Sequence, residues 1–186
     1  MITRRLALSL VLTGLVAGCA RTKSDPGPFA ATETGPYVLD AGDRLRVLVF
    51  GQENLSNLYA VDAKGAIAMP LIGTVPAAGM TTEELATAIK ARLRKGFLRD
   101  PDVVVEVDQY RPFFILGEVA NPGQFAYING LTAQTAIAVA GGFAPRADRT
   151  GVDLTRQIDG VIRTARLSLA TPIRPGDTIT VTERWF

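Results

Sequence analysis

Between Arg44 and Phe50 the chain reads RLRVLVF, with Leu45, Val47 and Val49 each separated by one residue. A period of two predicts a strand with one buried face. YAVDAKGAIAMPLIG, Tyr59 to Gly73, predicts two short strands around a turn at Ala63-Lys64-Gly65. The period then changes. In TTEELATAIKARLRKG, Leu85, Ile89 and Leu93 recur every four residues, the stripe of a helix packed on one side. Thr81 followed three residues later by Glu84 is a capping box. Lys90, Arg92, Arg94 and Lys95 favour the negative end of the helix dipole, and Gly96 is placed to cap it. DPDVVVEVD restores the period of two, with Val103, Val105 and Val107 on one side. Strand, hairpin, helix and strand make a small α+β unit.

A second block starts at Tyr110. PFFILGEV predicts a strand on which Phe113 and Ile115 share one face and Phe114 and Leu116 the other. A strand apolar on both faces belongs in a sandwich or at a subunit interface. NPGQFAYI predicts a turn feeding a further strand. LTAQTAIAVAGGF predicts a short helix with Thr132 as N-cap and Gly141-Gly142 as its stop. VDLTRQIDGVIRTARLSL reads as a hairpin turning at Asp159-Gly160. IRPGDTITVTERWF closes the chain with a strand on which Ile179 and Val181 face alike. LDAGDRLRVLV (Leu39 to Val49) and IRPGDTITVT (Ile173 to Thr182) both set Gly-Asp just before an alternating strand. The echo reflects either a shared role or only the turn chemistry that Gly and Asp favour anywhere.

The N-terminus follows neither period. Arg4 and Arg5 precede an apolar run, Leu6 to Gly18, shorter than the roughly 20 residues a spanning helix needs. This is the layout of a secretory signal. Val16-Ala17-Gly18 places small residues before Cys19, the chain's one cysteine. The pattern resembles a lipobox, which implies a signal peptide of residues 1–18 and acylation of Cys19. Ala20 after the cysteine, rather than aspartate, implies sorting to the outer membrane by resemblance to other lipoproteins. Several acyl chains hold where one holds only marginally. Residues 19–36, ending ARTKSDPGPFAATETGP, then read as a lipidated N-terminus and flexible linker. About 17 such residues reach at most roughly 55–60 Å. Two folded domains follow, 37–109 and 110–186.

Charge and chemistry narrow the function. Removing the signal takes away Arg4 and Arg5 and leaves 18 basic against 18 acidic residues, so charge gives no case for a nucleic-acid partner. There is no histidine to act as a base or metal ligand. No phosphate-binding Gly-x-x-x-x-Gly-Lys loop occurs. Glu83 and Glu84 are adjacent on a helix and cannot flank one glycosidic bond; they suit capping and the helix dipole. Asp102, Glu106 and Asp108 suit an exposed strand face. The sequence therefore names no catalytic, metal or cofactor site. Tyr110, Phe113, Phe114 and Tyr127 are candidate sugar-contacting aromatics, and none is assigned that role. Trp185 and Phe186 either dock on a membrane or partner, or finish the core; the core is the plainer reading.

Tyr37, Leu39, Gly42-Asp43, Leu45, Val47 and Val49 form an ordered set with Val61-Asp62, Gly65, Ile67, Pro70, Gly73, Val75, Gly79, Thr81, Pro101, Val103 and Val105. This set resembles the polysaccharide export domain of the Wza-like outer-membrane export lipoproteins. Ile115, Gly117-Glu118-Val119, Asn121-Pro122-Gly123, Phe125, Leu131-Thr132 and Ala140-Gly141-Gly142 resemble the soluble-ligand-binding β-grasp domain, the family's usual partner module. The resemblance implies a homo-oligomeric ring at the periplasmic face of the outer membrane, passing an exported polysaccharide. It implies an inner-membrane co-polymerase as partner and no enzymatic activity. Larger members end in an amphipathic membrane helix. The sequence ends at Glu183-Arg184-Trp185-Phe186, straight after a strand, so the expectation is a lipid-anchored periplasmic ring or collar that needs another route through the bilayer, a separate outer-membrane β-barrel being one candidate. The reading from another class is a lipid-anchored periplasmic binding or scaffold protein that conducts no polymer.

Overall fold

A computed structural model describes Phe29, residues 35–158 and residues 160–185. The signal segment, Cys19 and most of the linker lie outside the described residues.

The first unit is built on β1 (Arg44–Val49), β2 (Asn57–Ala60) and β5 (Val103–Gln109), an antiparallel sheet in the order β2-β1-β5. Leu45, Val47 and Val49 are all buried, as their spacing predicts. The two strands around the Ala63-Lys64-Gly65 turn do form. They do not pair with each other. β2 joins β1, and β3 (Ala66–Met69) forms its own hairpin with β4 (Gly73–Pro76). The predicted hairpin is thus displaced by one strand. Asp62 closes the intervening turn by accepting the Lys64 and Ala66 amides on its side chain, which ends β2 before it can turn back on itself.

Helix α1 (Thr82–Leu93) carries the expected capping box. Glu84 N–H donates to Thr81 Oγ1 at 3.2 Å, and Thr81 N–H donates to Glu84 Oε2 at 2.8 Å. Leu85, Ile89 and Leu93 are fully buried against the valines of β5. Asp102, Glu106 and Asp108 lie on the opposite, outward face of that sheet. There Asp108 accepts from Arg44 Nε at 2.8 Å and Arg46 Nη2 at 2.7 Å.

The second unit is a five-stranded mixed sheet, β7 (Gly123–Phe125), β6 (Phe113–Gly117), β10 (Thr178–Val181), β8 (Val152–Ile158) and β9 (Val161–Leu167), in that order. Helix α2 (Ala133–Val139), capped by Thr132, packs its buried Ala133, Ala136 and Ile137 on one face. β6 and β10 run parallel and the other pairs antiparallel. The β8–β9 register ends at Ile158↔Val161, and Asp159 of the predicted Asp159-Gly160 turn lies outside the described residues. Phe113 and Ile115 are buried, whereas Phe114 and Leu116 are 37% and 48% exposed. Among the described residues nothing sandwiches the outer face of β6, which leaves the subunit-interface alternative for that face. β7 is three residues long, shorter than the strand expected from NPGQFAYI.

Each unit has its own core. Phe29, from the segment read as linker, is buried in the second core, its ring centre 5.1 Å from the Arg156 guanidinium.

Candidate functional site

The Gly-Asp echo turns out to be one structural device used twice. In both copies the glycine sits at positive φ (Gly42 at 93°, Gly176 at 84°) and the aspartate is fully buried. Each aspartate accepts the backbone N–H of the residue three before it: Asp40 N–H to Asp43 Oδ2 at 3.0 Å, Arg174 N–H to Asp177 Oδ2 at 2.7 Å. Each also binds an arginine. Arg156 meets Asp177 with Nε and Nη2, both at 2.8 Å. Arg111 donates its backbone N–H to Asp43 Oδ1 at 2.8 Å, and its Nη1 lies 3.4 Å from Oδ2. A buried carboxylate needs such donors, because desolvation otherwise makes its charge expensive.

Arg111 also joins the units. A Cβ placed on Gly42 would stand 3.4 Å from Arg111 Cβ, and one on Gly176 would stand 2.8 Å from Arg111 Nε. The arginine thus runs between the two Gly-Asp turns. Next to it, three tyrosines form a ladder. Tyr37 and Tyr110 meet edge to face with centroids 4.9 Å apart, and Tyr110 and Tyr127 with centroids 5.5 Å apart. Tyr37 O–H donates to Asp43 at 2.6 Å and accepts from Arg111 Nη1 at 3.0 Å. Tyr127 O–H donates to the Ile173 carbonyl at 3.2 Å. Burial first, then the Asp43 hydrogen bond, push the Tyr37 phenol far above its ordinary value of 10.0. Burial also raises that of Tyr127. The ladder opens onto a groove of about 600 Å³ along β5 and the start of α1, lined among others by Tyr37, Tyr110, Thr82, Glu83 and Glu106.

The sequence-level candidates separate here. Tyr110 and Tyr127 belong to the ladder. Phe113 is core, stacked on Phe125 at 5.8 Å. Phe114 stands on the open face of the sheet. Glu83 lies in the groove rim with its carboxyl held below the usual range, first by its own backbone N–H and then by the Thr81 and Thr82 side chains. Trp185 is 90% exposed, so it does not finish the core. Phe186, like Cys19, lies outside the described residues. Tyr37 and Arg111 were not singled out for the junction, although the Gly-Asp echo marked the two turns between which Arg111 runs. Among the described residues no group of acidic or cysteine side chains is placed to hold a metal ion. No described helix is long and apolar enough to cross a membrane.

A family model described as polysaccharide biosynthesis/export protein matches residues 31–108, and an SLBB domain model matches residues 112–164. The chain is 35% identical over 156 residues to the exopolysaccharide production protein ExoF of Rhizobium meliloti. An export domain followed by an SLBB domain, with this relative, supports a Wza-like polysaccharide export family protein. That alignment covers 77% of this chain and 34% of ExoF. The polysialic acid transport protein KpsD of Escherichia coli is 26% identical over 111 residues, 59% of this chain and 20% of KpsD. The chain thus spans about a third or less of the length of the curated relatives it matches. The export module is the first unit, the SLBB β-grasp-like module is the second, and the fold is α+β. Arg111, at the boundary of the two matches, ties one module to the other together with the Tyr37–Tyr110–Tyr127 ladder.

Proposed function

We propose that this protein is a non-enzymatic component of a polysaccharide export machine in the bacterial envelope. The observation that carries the reading is the order of modules: an export domain followed directly by an SLBB domain, joined through the Arg111 junction. The names of ExoF and KpsD, one of exopolysaccharide production and the other of polysialic acid transport, support it. In this reading Cys19 is acylated after removal of residues 1–18 and holds the chain to the periplasmic face of the outer membrane. Copies assemble into a ring that passes polymer. An inner-membrane co-polymerase works below it, and an outer-membrane β-barrel is a candidate exit. The open outer face of β6, with Phe114 and Leu116 part-exposed, is a surface on which copies or partners can pack.

The test is a deletion strain assayed separately for surface and cell-retained polysaccharide. Export predicts loss of the surface polymer with synthesis continuing. Normal surface polymer overturns the reading and leaves a scaffold role. The mass of the detergent-extracted protein then decides whether it is a ring.

A further inference from the structure

A second groove lies at the far end of the SLBB module from the tyrosine ladder's partner domain, where the chain's last described segment runs beside the loop after α2. The two segments are pinned together. Ala147 and Glu183 form a bridge, Asp148 N–H donates to the Thr182 carbonyl at 2.8 Å, and Arg184 N–H donates to the Arg146 carbonyl at 2.9 Å. Trp185 follows the last pinned residue, so its indole forms a wall while staying 90% exposed. The cavity is about 590 Å³, lined by Pro145, Asp148, Arg149, Thr150, Arg184 and Trp185, with Ala147 beneath. That size suits a small ligand rather than a single ion.

Its charge is unbalanced. Asp148 is engaged by the Thr150 N–H at 2.8 Å, the Thr150 O–H at 2.7 Å and the Arg166 guanidinium. Arg146 pairs with Glu183 at 3.2 Å. Arg149 and Arg184 have no carboxylate partner among the described residues; the Arg149 guanidinium instead lies 5.8 Å from the Phe143 ring centre. Arg149 and Arg184 therefore line one open groove together with the exposed Trp185. Guanidinium binds carboxylate through paired, charge-assisted hydrogen bonds. An indole offers an apolar plate to the C–H face of a sugar ring. A lone tryptophan among polar neighbours lacks the broad apolar face that membrane insertion requires.

We propose that this groove is a binding subsite for an acidic saccharide, with a sugar ring on Trp185 and its carboxylate held by Arg149 and Arg184. The inference rests on the export reading and adds the charge class of the polymer.

Trp185 is the chain's one tryptophan, so fluorescence excited at the long-wavelength edge of indole absorption, where tyrosine does not absorb, reports this site alone. The full chain, purified in detergent, is titrated with a tetragalacturonate and with a neutral tetrasaccharide of equal length. A saturable change with the acidic sugar, and at least about tenfold weaker binding in the Arg149→Gln, Arg184→Gln double variant, is expected. Calorimetry with Trp185→Ala should show a comparable loss, and unchanged thermal melting should confirm folding of each variant. Absence of saturation, equal binding of the neutral sugar, or unchanged affinity in both variants overturns the proposal. A phosphatidylglycerol vesicle that binds as well as the sugar, through the same residues, also overturns it and assigns the groove to a membrane surface. A deletion strain that still exports defeats the export reading itself, whereas blocked export without acidic-sugar binding defeats only this subsite.

Discussion

Asp43 and Asp177 are structural counterparts: each is fully buried after a positive-φ glycine, each accepts the amide three residues back, and each binds an arginine. The two carboxylates anchor the strands that organise their modules, β1 in the first and β10 in the second. Their partners differ in consequence. Arg156 closes a pair inside the SLBB core, while Arg111 spans the junction between modules.

Replacing Asp177 by Ala strands the Arg156 guanidinium in the core. Breaking a buried pair on one side costs about 3–5 kcal/mol. Urea unfolding followed by circular dichroism should show a loss of that size, and the same for Arg156→Ala. A loss below about 1 kcal/mol would place the pair in water-like surroundings.

Arg111→Ala removes the side chain that touches both Gly-Asp turns while leaving both cores intact. Calorimetry should then separate one unfolding transition into two, because the Tyr37–Tyr110–Tyr127 ladder is left to couple the modules without the ion pair and packing of Arg111. A single unchanged transition would show that the junction holds without it.

Gly117 is irreplaceable on steric grounds. It sits at φ +83°, and a Cβ there would stand 2.1 Å from the Val181 carbonyl oxygen. Gly117→Ala should destabilise by more than the roughly 1–2 kcal/mol that the left-handed conformation alone costs. The obstacle is backbone of the parallel β6–β10 pair, which cannot swing aside. Thermal melting measures it.

Alkaline titration distinguishes the tyrosines. Tyr37, Tyr59 and Tyr127 carry raised pKa values, so ultraviolet difference absorbance should show them ionising above the ordinary tyrosine range. A group whose folded pKa is raised stabilises fully below its unfolded value and loses that contribution as pH rises. Stability should therefore fall above about pH 10, and less steeply in Tyr37→Phe. Ionisation of Tyr37 and Tyr127 near their ordinary value, in the folded protein, contradicts their burial in the ladder.

Cys19→Ser tests the anchor that the proposed function requires. A folded protein should leave the membrane fraction and surface polysaccharide should fall. Retention in the membrane would assign the hold to another part of the chain or to a partner.

Much of this architecture was written locally. Alternation placed Leu45, Val47 and Val49 inward, and four-residue spacing did the same for Leu85, Ile89 and Leu93, because each period follows from backbone geometry alone. Thr81 and Glu84 act within three residues of each other, so their capping role survives without knowledge of the fold. The resemblance of the stretch before Cys19 to a lipobox is likewise read from the sequence alone.

Tertiary structure decided the rest. It chose β4 rather than β2 as the partner of β3, and it set β10 parallel beside β6, some 60 residues away in the chain. Period two identifies a strand but not its neighbour, since the same alternation fits any register that buries the same face. It brought Tyr37, Tyr110 and Tyr127 together, took Phe113 out of contention as a surface aromatic and left Trp185 beside two arginines. Those groupings join residues distant in sequence, and only the closing of the chain on its two cores puts them within reach of one another.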